Sequence, residues 1–269
     1  MAEQTASPLA GKRVVVTRPS KGNSELAEAL RAAGSEVILF PLIRIEPPQD
    51  PAALDVALRA LPECDWLVFT SQNAVAAVAD RLATFPEPSR KVPESMRVAV
   101  VGAATEEAAR KTGIRVTHTA RGRTAADLIS ELAADLHGKR VLLPRSDRAA
   151  PELLDNLRAV GAMVHDVIAY RTVAFDYHET DLDAADAILF FSPSAVHAFR
   201  TLLDSGVISS RMLAAAFGAT GPITEAALLA SGLRCDFQSS RPGNAEIVAA
   251  LAAYFERSEH LTQPGVISQ

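Results

Sequence analysis

The sequence predicts an α/β protein of two doubly wound parallel sheets, and three observations predict it. The chain has 269 residues, of which 48% are hydrophobic, enough for two cores of ordinary domain size. Short β-branched runs alternate with segments of 3.6-residue apolar period, the pattern of β–α units feeding a parallel sheet. The chain also repeats itself, so one such unit accounts for both halves.

The repeat is carried by three blocks. Gly11-Lys12-Arg13-Val14 recurs as Gly138-Lys139-Arg140-Val141, and the register runs on without a gap through Arg18/Arg145, Glu25-Leu26/Glu152-Leu153, Leu30-Arg31-Ala32/Leu157-Arg158-Ala159 and Gly34/Gly161. A second block sets Asp65 to Val75 against Asp186 to Val196, with Ser71 opposite Ser192. The third pairs Val100 to Thr105 with Ala216 to Thr220, each leading into an Ala-rich helix and a glycine, Gly113 or Gly232.

In the first copy, strands are expected at Val14 to Val16, Val37 to Phe40, Leu67 to Phe69, Val98 to Val101 and Val116 to His118. In the second they are expected at Val141 to Leu143, Val164 to Tyr170, Ile188 to Phe191, Met212 to Phe217 and Cys235 to Phe237. Five strands with intervening helices suit the flavodoxin-like order. One helix is expected to be missing between Val173 and Ala185, where Asp176 to Asp181 is polar and lacks the apolar stripe of Leu54 to Leu61. Gly34, Gly113, Gly161 and Gly232 fall just past the last apolar-periodic residue of a helix, where a left-handed backbone favours glycine. The tail from Ser258 to Gln269 shows no sustained period and is expected to be poorly ordered.

Composition excludes several function classes. With 27 Lys+Arg against 32 Asp+Glu, a net charge of −5, and no basic run, no nucleic-acid surface is expected. No apolar run approaches the roughly 18 residues needed to cross a bilayer, and Met1 to Ala10 has no signal-peptide pattern, so the reading is cytoplasmic, with no membrane partner. Cys64 and Cys235 stand far apart without metal-ligand spacing, and the six histidines are scattered, so neither a disulfide framework nor a metal site is expected. There is no nucleophile elbow, no P-loop and no complete dinucleotide fingerprint; Gly218-Ala219-Thr220-Gly221 matches the last only in part.

In a doubly wound sheet, ligands bind beyond the carboxyl ends of the strands, where loops enter helix N-termini. Small hydroxyl and amide residues collect there: Ser71 and Asn73, Thr105, Thr124, Ser192 and Ser194, Thr220 and Asn244. Each alone is an ordinary helix cap. Together they describe a row of anion seats, since helix N-termini carry partial positive charge and open N–H groups. Arg18, Arg121, Arg123, Arg145 and Arg148 stand at the same ends and suit carboxylates by fork-like pairing. Tyr170, at the end of a long strand, is an amphipathic aromatic suited either to a packed junction or to catalysis.

These motifs, in their order along the chain, resemble uroporphyrinogen-III synthases. The likeness runs from Gly11 to Phe255 through Arg13 to Pro19, Pro41 to Ile45, Val68 to Ser71 with Asn73 to Val75, Val101-Gly102 with Thr105, Leu143 to Arg145 with Asp147-Arg148, Tyr170 to Thr172, Phe191 to Ser194 and Phe217-Gly218. The resemblance implies a cyclising hydro-lyase of tetrapyrrole and heme biosynthesis that converts hydroxymethylbilane to uroporphyrinogen III with ring D inverted, without cofactor or metal. It implies a small-molecule partner only, and a monomer is expected. It also implies discontinuous domains, 1–41 with 173–269 and 46–167, joined by linker strands at 42–45 and 168–172, with a cleft between them. Tyr170 takes the place of the family's linker tyrosine, the candidate for assisting loss of the hydroxyl. Arg18, Ser71, Asn73, Thr105, Thr124, Arg145, Arg148, Ser192, Ser194, Thr220 and Asn244 are the expected substrate contacts. A non-catalytic ligand-binding or regulatory module on the same fold is the alternative; the presence of Tyr170 and the strand-end hydroxyls favours the enzyme. A solute-capture protein is disfavoured by the missing export pattern.

Overall fold

The computed structural model describes residues 7–19, 24–122, 124–178, 182, 184–241 and 243–262. In chain order its elements are β1 (Arg13–Val16), α1 (Ser24–Ala32), β2 (Glu36–Leu39), β3 (Ile43–Glu46), α2 (Pro51–Arg59), β4 (Trp66–Phe69), α3 (Gln72–Leu82), β5 (Arg97–Val100), α4 (Ala103–Lys111), β6 (His118–Thr119) and α5 (Ala125–Leu136). They continue with β7 (Arg140–Ser146), α6 (Glu152–Ala159), β8 (Met163–Ala174), β9 (Ala187–Phe190), α7 (Pro193–Asp204), β10 (Ala216–Ala219), α8 (Pro222–Ala230), β11 (Phe237–Gln238) and α9 (Asn244–Thr262). The chain divides into two compact units, Met1–Arg44 with Val173–Gln269, and Ile45–Thr172.

The first unit holds a five-stranded sheet in the order β11-β10-β9-β1-β2, parallel throughout. Its inner strands β1, β9 and β10 are buried on both faces, which is why Val14-Val15-Val16 and Ala187-Ile188-Leu189-Phe190 are unbroken apolar runs. Val15, Ile188, Phe190 and Phe217 pack toward α7 and α8, where Phe190, Phe199 and Phe217 meet edge to face at 5.3 to 5.8 Å. Val14, Val16 and Leu189 pack toward α1 and α9 on Leu26, Leu30, Ile247 and Leu251.

The second unit holds the sheet β3-β8-β7-β4-β5-β6. Leu67 and Phe69 face α2 and α3 through Leu54, Leu58, Val75 and Val78, while Trp66 and Val68 face α5 and α6 through Leu128, Leu132 and Leu157. Apart from β3, this sheet has the same spatial order as the first: β7 takes the place of β1, β8 of β2, and β4, β5 and β6 of β9, β10 and β11. The sheets do not follow the sequence copies, because β1 and β2 join strands from the far end of the chain.

Several boundaries differ from expectation. Met212 lies in a 3-10 turn, Ser210–Ala214, and β10 begins only at Ala216. The short edge strands start later than predicted, at His118 and Phe237. Strand β8 is one continuous twelve-residue strand. The tail from Ser258 is helical as far as Thr262, with Ser258 Oγ donating to the Tyr254 carbonyl at 3.0 Å; residues 263–269 of that expectation lie outside the described residues. Gly34, Gly113, Gly161 and Gly232 all have positive φ, as their predicted helix-end role requires.

Candidate active site

In the second unit, β4 ends at Phe69 and Ser71 caps α3. Its backbone is extended, and its Oγ accepts the Ala74 N–H at 3.1 Å. The helix follows because Ala74, Val75, Val78 and Leu82 fall at helical spacing on the buried face. The Ser71 Oγ also lies 3.0 Å from the Tyr170 hydroxyl. Tyr170 belongs to the core of this unit and is only 7% exposed.

A register shift puts Tyr170 there. Along β8, Val167 is buried, Ile168 exposed and Ala169 buried, so strict alternation would send Tyr170 outward with Ile168. Instead Arg145 of β7 stands opposite Ile168 and Ser146 opposite Tyr170, and the extra residue turns the tyrosine to the buried face beside Ser71. The shift is held by the turn after β7. The Asp147 N–H donates to the Tyr170 carbonyl at 3.1 Å, and Asp147 Oδ1 accepts both the Thr172 N–H and the Ser146 hydroxyl at 3.0 Å.

The predicted arginines are placed differently from one another. Arg145 is committed within β7–β8: its Nε and Nη2 donate to Asp166 Oδ2 at 2.9 and 2.6 Å. Arg148 is exposed, with its N–H on Ser146 Oγ. Arg18, beyond β1, lies over the Phe191 ring at 5.7 Å. The Arg121 amide donates to Glu131 Oε1 at 3.0 Å, and His118 Nε2 lies 3.0 Å from the same carboxyl. Burial raises the Glu131 carboxyl, but hydrogen bonds from the Gly122 N–H, His118 and the Arg121 N–H outweigh it and hold the group below the usual range. Arg123 lies outside the described residues.

Six of the helix N-termini fall into three pairs. Ser71 and Ser192 cap α3 and α7, Ser192 Oγ accepting the Ala195 N–H at 3.3 Å; Asn73 and Ser194, the second residues of these helices, are half-buried. The ends of α5 and α9 hold acids of their own. Thr124 forms a capping box with Asp127, and the Glu246 carboxylate folds so closely against Gly243, just before Asn244, that it fills the space a Cβ would need there. Helices α4 and α8 differ from both: each begins after a glycine, Gly102 or Gly221, with no side-chain cap.

These last two helices correct the third repeat block. Gly102 corresponds in place to Gly221, not to Gly218, and Thr105 to Thr224, not to Thr220. Thr105 and Thr224 are each the third residue of their helix and are 4% and 5% exposed. Thr220 directly follows β10, half-buried, with its N–H on the Phe190 carbonyl at 3.2 Å. The sequence signal for Thr224 is a Gly-x-x-Thr whose glycine caps the helix and whose threonine lies in its first turn, present in both copies.

Among the described residues, no group of three or more His, Cys, Asp or Glu could hold a metal ion, and no helix is long and apolar enough to cross a membrane. Cys64 and Cys235 are free thiols, and burial pushes Cys235 up to about 11. A shallow hollow lined by Ala60, Glu63, Cys64, Arg140, Met163 and His165 sits where β7 and β8 begin, at the opposite end of the sheet from Tyr170.

The profile of the family described as uroporphyrinogen-III synthase HemD matches residues 24–249. A uroporphyrinogen-III synthase of Synechococcus elongatus is 33% identical over 234 residues, 83% of this chain and 87% of that protein. The uroporphyrinogen-III synthase of Escherichia coli is 31% identical over 166 residues, 61% of this chain and 66% of the other. Among solved structures, a mutant uroporphyrinogen III synthase from Thermus thermophilus aligns with a TM-score of 0.64 at 16% identity, over 92% of this chain and 100% of that one. Uroporphyrinogen-III synthetase from Helicobacter pylori gives 0.60 at 15% identity, over 93% and 99%. At those identities the structural likeness speaks for the fold.

Proposed function

The chain belongs to the uroporphyrinogen-III synthase family, and we propose that it closes hydroxymethylbilane to uroporphyrinogen III by a dehydration that Tyr170 assists. The observation that carries the role of Tyr170 is its placement: the register shift in β8 brings a buried phenol hydroxyl to the capped N-terminus of α3, at the carboxyl ends of the strands. A hydroxymethyl group beside an electron-rich pyrrole loses water readily once a proton is supplied, leaving a stabilised azafulvenium cation. The harder task is directing that cation to the substituted carbon of ring D, which gives a spiro intermediate and inverts the ring. Holding the chain in one pose does this, and positioning supplies several kcal/mol of barrier reduction.

The substrate's eight carboxylates need seats, and a protein of net charge −5 must concentrate positive potential locally. We assign the main seats to the glycine-led ends of α4 and α8, at Ala103-Ala104 and at Ile223 beside Thr220, because these ends have no side-chain cap; the Thr105 and Thr224 N–H groups already donate to the Gly102 and Gly221 carbonyls at 3.1 Å. Asn73, Ser192, Ser194, Arg18 and Arg148 supplement them. Thr124 and Asn244 rank lowest, since Asp127 and Glu246 already sit at those ends. Arg145 contributes by ordering the β7–β8 pair through Asp166.

The same reading takes the two sheets as an internal duplication, supported by their shared strand order. It takes 42–45 and 168–172 as linker strands between domains 1–41 with 173–269 and 46–167, supported by the division of the units within β3 and β8. The enzyme is a cytoplasmic, monomeric hydro-lyase in this reading. A non-catalytic module is not favoured. The test is to mix purified protein with freshly generated hydroxymethylbilane and separate the product isomers. Type III is expected; type I alone would overturn the assignment.

A further inference from the structure

We infer that Ser71 is a positioning residue for Tyr170, its hydroxyl proton donated to the phenol oxygen, and not a carboxylate seat. The inference rests on the dehydration reading above. Ser71 Oγ already accepts the Ala74 N–H at 3.1 Å, so one lone pair is committed to the helix. A hydroxyl has one proton to give, and the Tyr170 oxygen, 3.0 Å away, is the partner described for it. The contact itself admits either hydroxyl as donor. A phenol that is to give its proton to a substrate group requires the direction that runs from the Ala74 N–H through Ser71 to the Tyr170 oxygen. It leaves the phenol's own proton for a substrate group.

Capping alone does not explain the second contact. Ser192 caps α7 with nearly the same backbone, φ −161° and ψ 155° against −151° and 148° at Ser71, yet its side chain bonds only the Ala195 N–H among the described residues. The chemistry balances. The Tyr170 proton passes to the departing hydroxyl, and the C–O bond breaks with its electron pair going to oxygen as water. The phenolate left behind is held by the Ser71 O–H at the positive end of α3. The cation closes the ring and loses one proton as the last pyrrole regains aromaticity, and that proton neutralises the phenolate.

The test uses Ser71→Gly, Ser71→Ala and Ser71→Thr in the full chain. Glycine is a serviceable N-cap, so Ser71→Gly removes the hydroxyl with little loss of helix stability. It is expected to lower kcat about tenfold or more, the range of a single acid–base contribution, while KM stays within about twofold, the signature of an interaction made in the transition state. Ser71→Ala is expected to match Ser71→Gly in kcat, and Ser71→Thr to restore most of it. In protein carrying 13C-labelled tyrosine, the Tyr170 Cζ resonance, assigned by its loss in Tyr170→Phe, is expected to move in Ser71→Gly and return in Ser71→Thr. A raised KM with kcat retained would overturn the inference in favour of a carboxylate seat. Lowered melting temperature with unchanged kcat, KM and Cζ resonance would overturn it in favour of a plain cap. Type I product from the unmodified protein would strike the underlying reading instead, and is seen separately.

Discussion

Helices α3 and α7 begin alike, each after a strand buried along its whole length and each under a serine cap, yet only α3 has an aromatic hydroxyl bonded to that cap among the described residues. The cause lies in the strand two places along the sheet. In the first unit that strand is β2, four residues long; two residues on, Pro41 lacks the N–H needed to continue a ladder. In the second it is β8, twelve residues long, running past its neighbour's end with a register shift that rotates Tyr170 inward. One shared architecture thus brings a buried phenol to a serine cap in one unit and not in the other. The difference comes from a strand's length and one extra residue, not from the helix that receives the tyrosine.

The largest effect expected on this contrast comes from Tyr170→Phe, which makes the α3 end resemble the α7 end without opening a cavity. Turnover should fall by more than about tenfold, within the range of acid–base contributions, while melting temperature is retained. Near-normal turnover in the purified, folded variant would dismiss the catalytic role.

A smaller effect sharpens the same contrast. Helix α3 is tied to α2 by Arg81, whose Nη2 donates to Asp55 Oδ2 at 2.7 Å, whereas Arg200 of α7 pairs with Asp204 of its own helix. Among the described residues between β8 and β9, no helix takes the place of α2. The Arg81 hydrogen bond holds the Asp55 carboxyl below its ordinary 3.8, against the raising effect of burial. A lowered folded value stabilises the fold above the unfolded value, and that stability is lost as pH falls through the folded value. Asp55→Asn should therefore melt below the wild type at neutral pH, with the gap closing as pH drops toward about 2, beneath the carboxylate range. A gap that persists in acid would show that Asp55 acts through packing instead.

Much of the fold was legible because doubly buried strands must be apolar runs, and Val14 to Val16 or Leu67 to Phe69 allow little else. Two features were not legible, for physical reasons. The register shift in β8 leaves no mark on composition: Val167 to Tyr170 reads as one apolar stretch, and only pairing with β7 reveals the extra residue. In the third repeat block Gly218 resembles Gly102 by sequence, yet it lies inside β10, where the Phe237 ring occupies the space a Cβ would need; the loop glycine matching Gly102 is Gly221. A packing glycine imitated a capping one, and Thr224 was lost with it. Helix α9 continues to Thr262, past Phe255 where its contacts with the core stop among the described residues. The serine caps Ser71 and Ser192 are legible directly, since a small hydroxyl between a strand and an apolar helix is an ordinary N-cap.

Recognition of the polycarboxylate is assigned to the two uncapped helix ends that follow a glycine, those of α4 and α8. Nuclear magnetic resonance titration of the amide-labelled protein with uroporphyrinogen III, kept reduced, tests this directly. The N–H resonances of Ala103, Ala104 and Ile223 are predicted to shift together at saturation, while those of Ala125 to Asp127 at the self-capped start of α5 stay in place. Shifts confined to the α5 end, with Ala103, Ala104 and Ile223 unmoved, would contradict it.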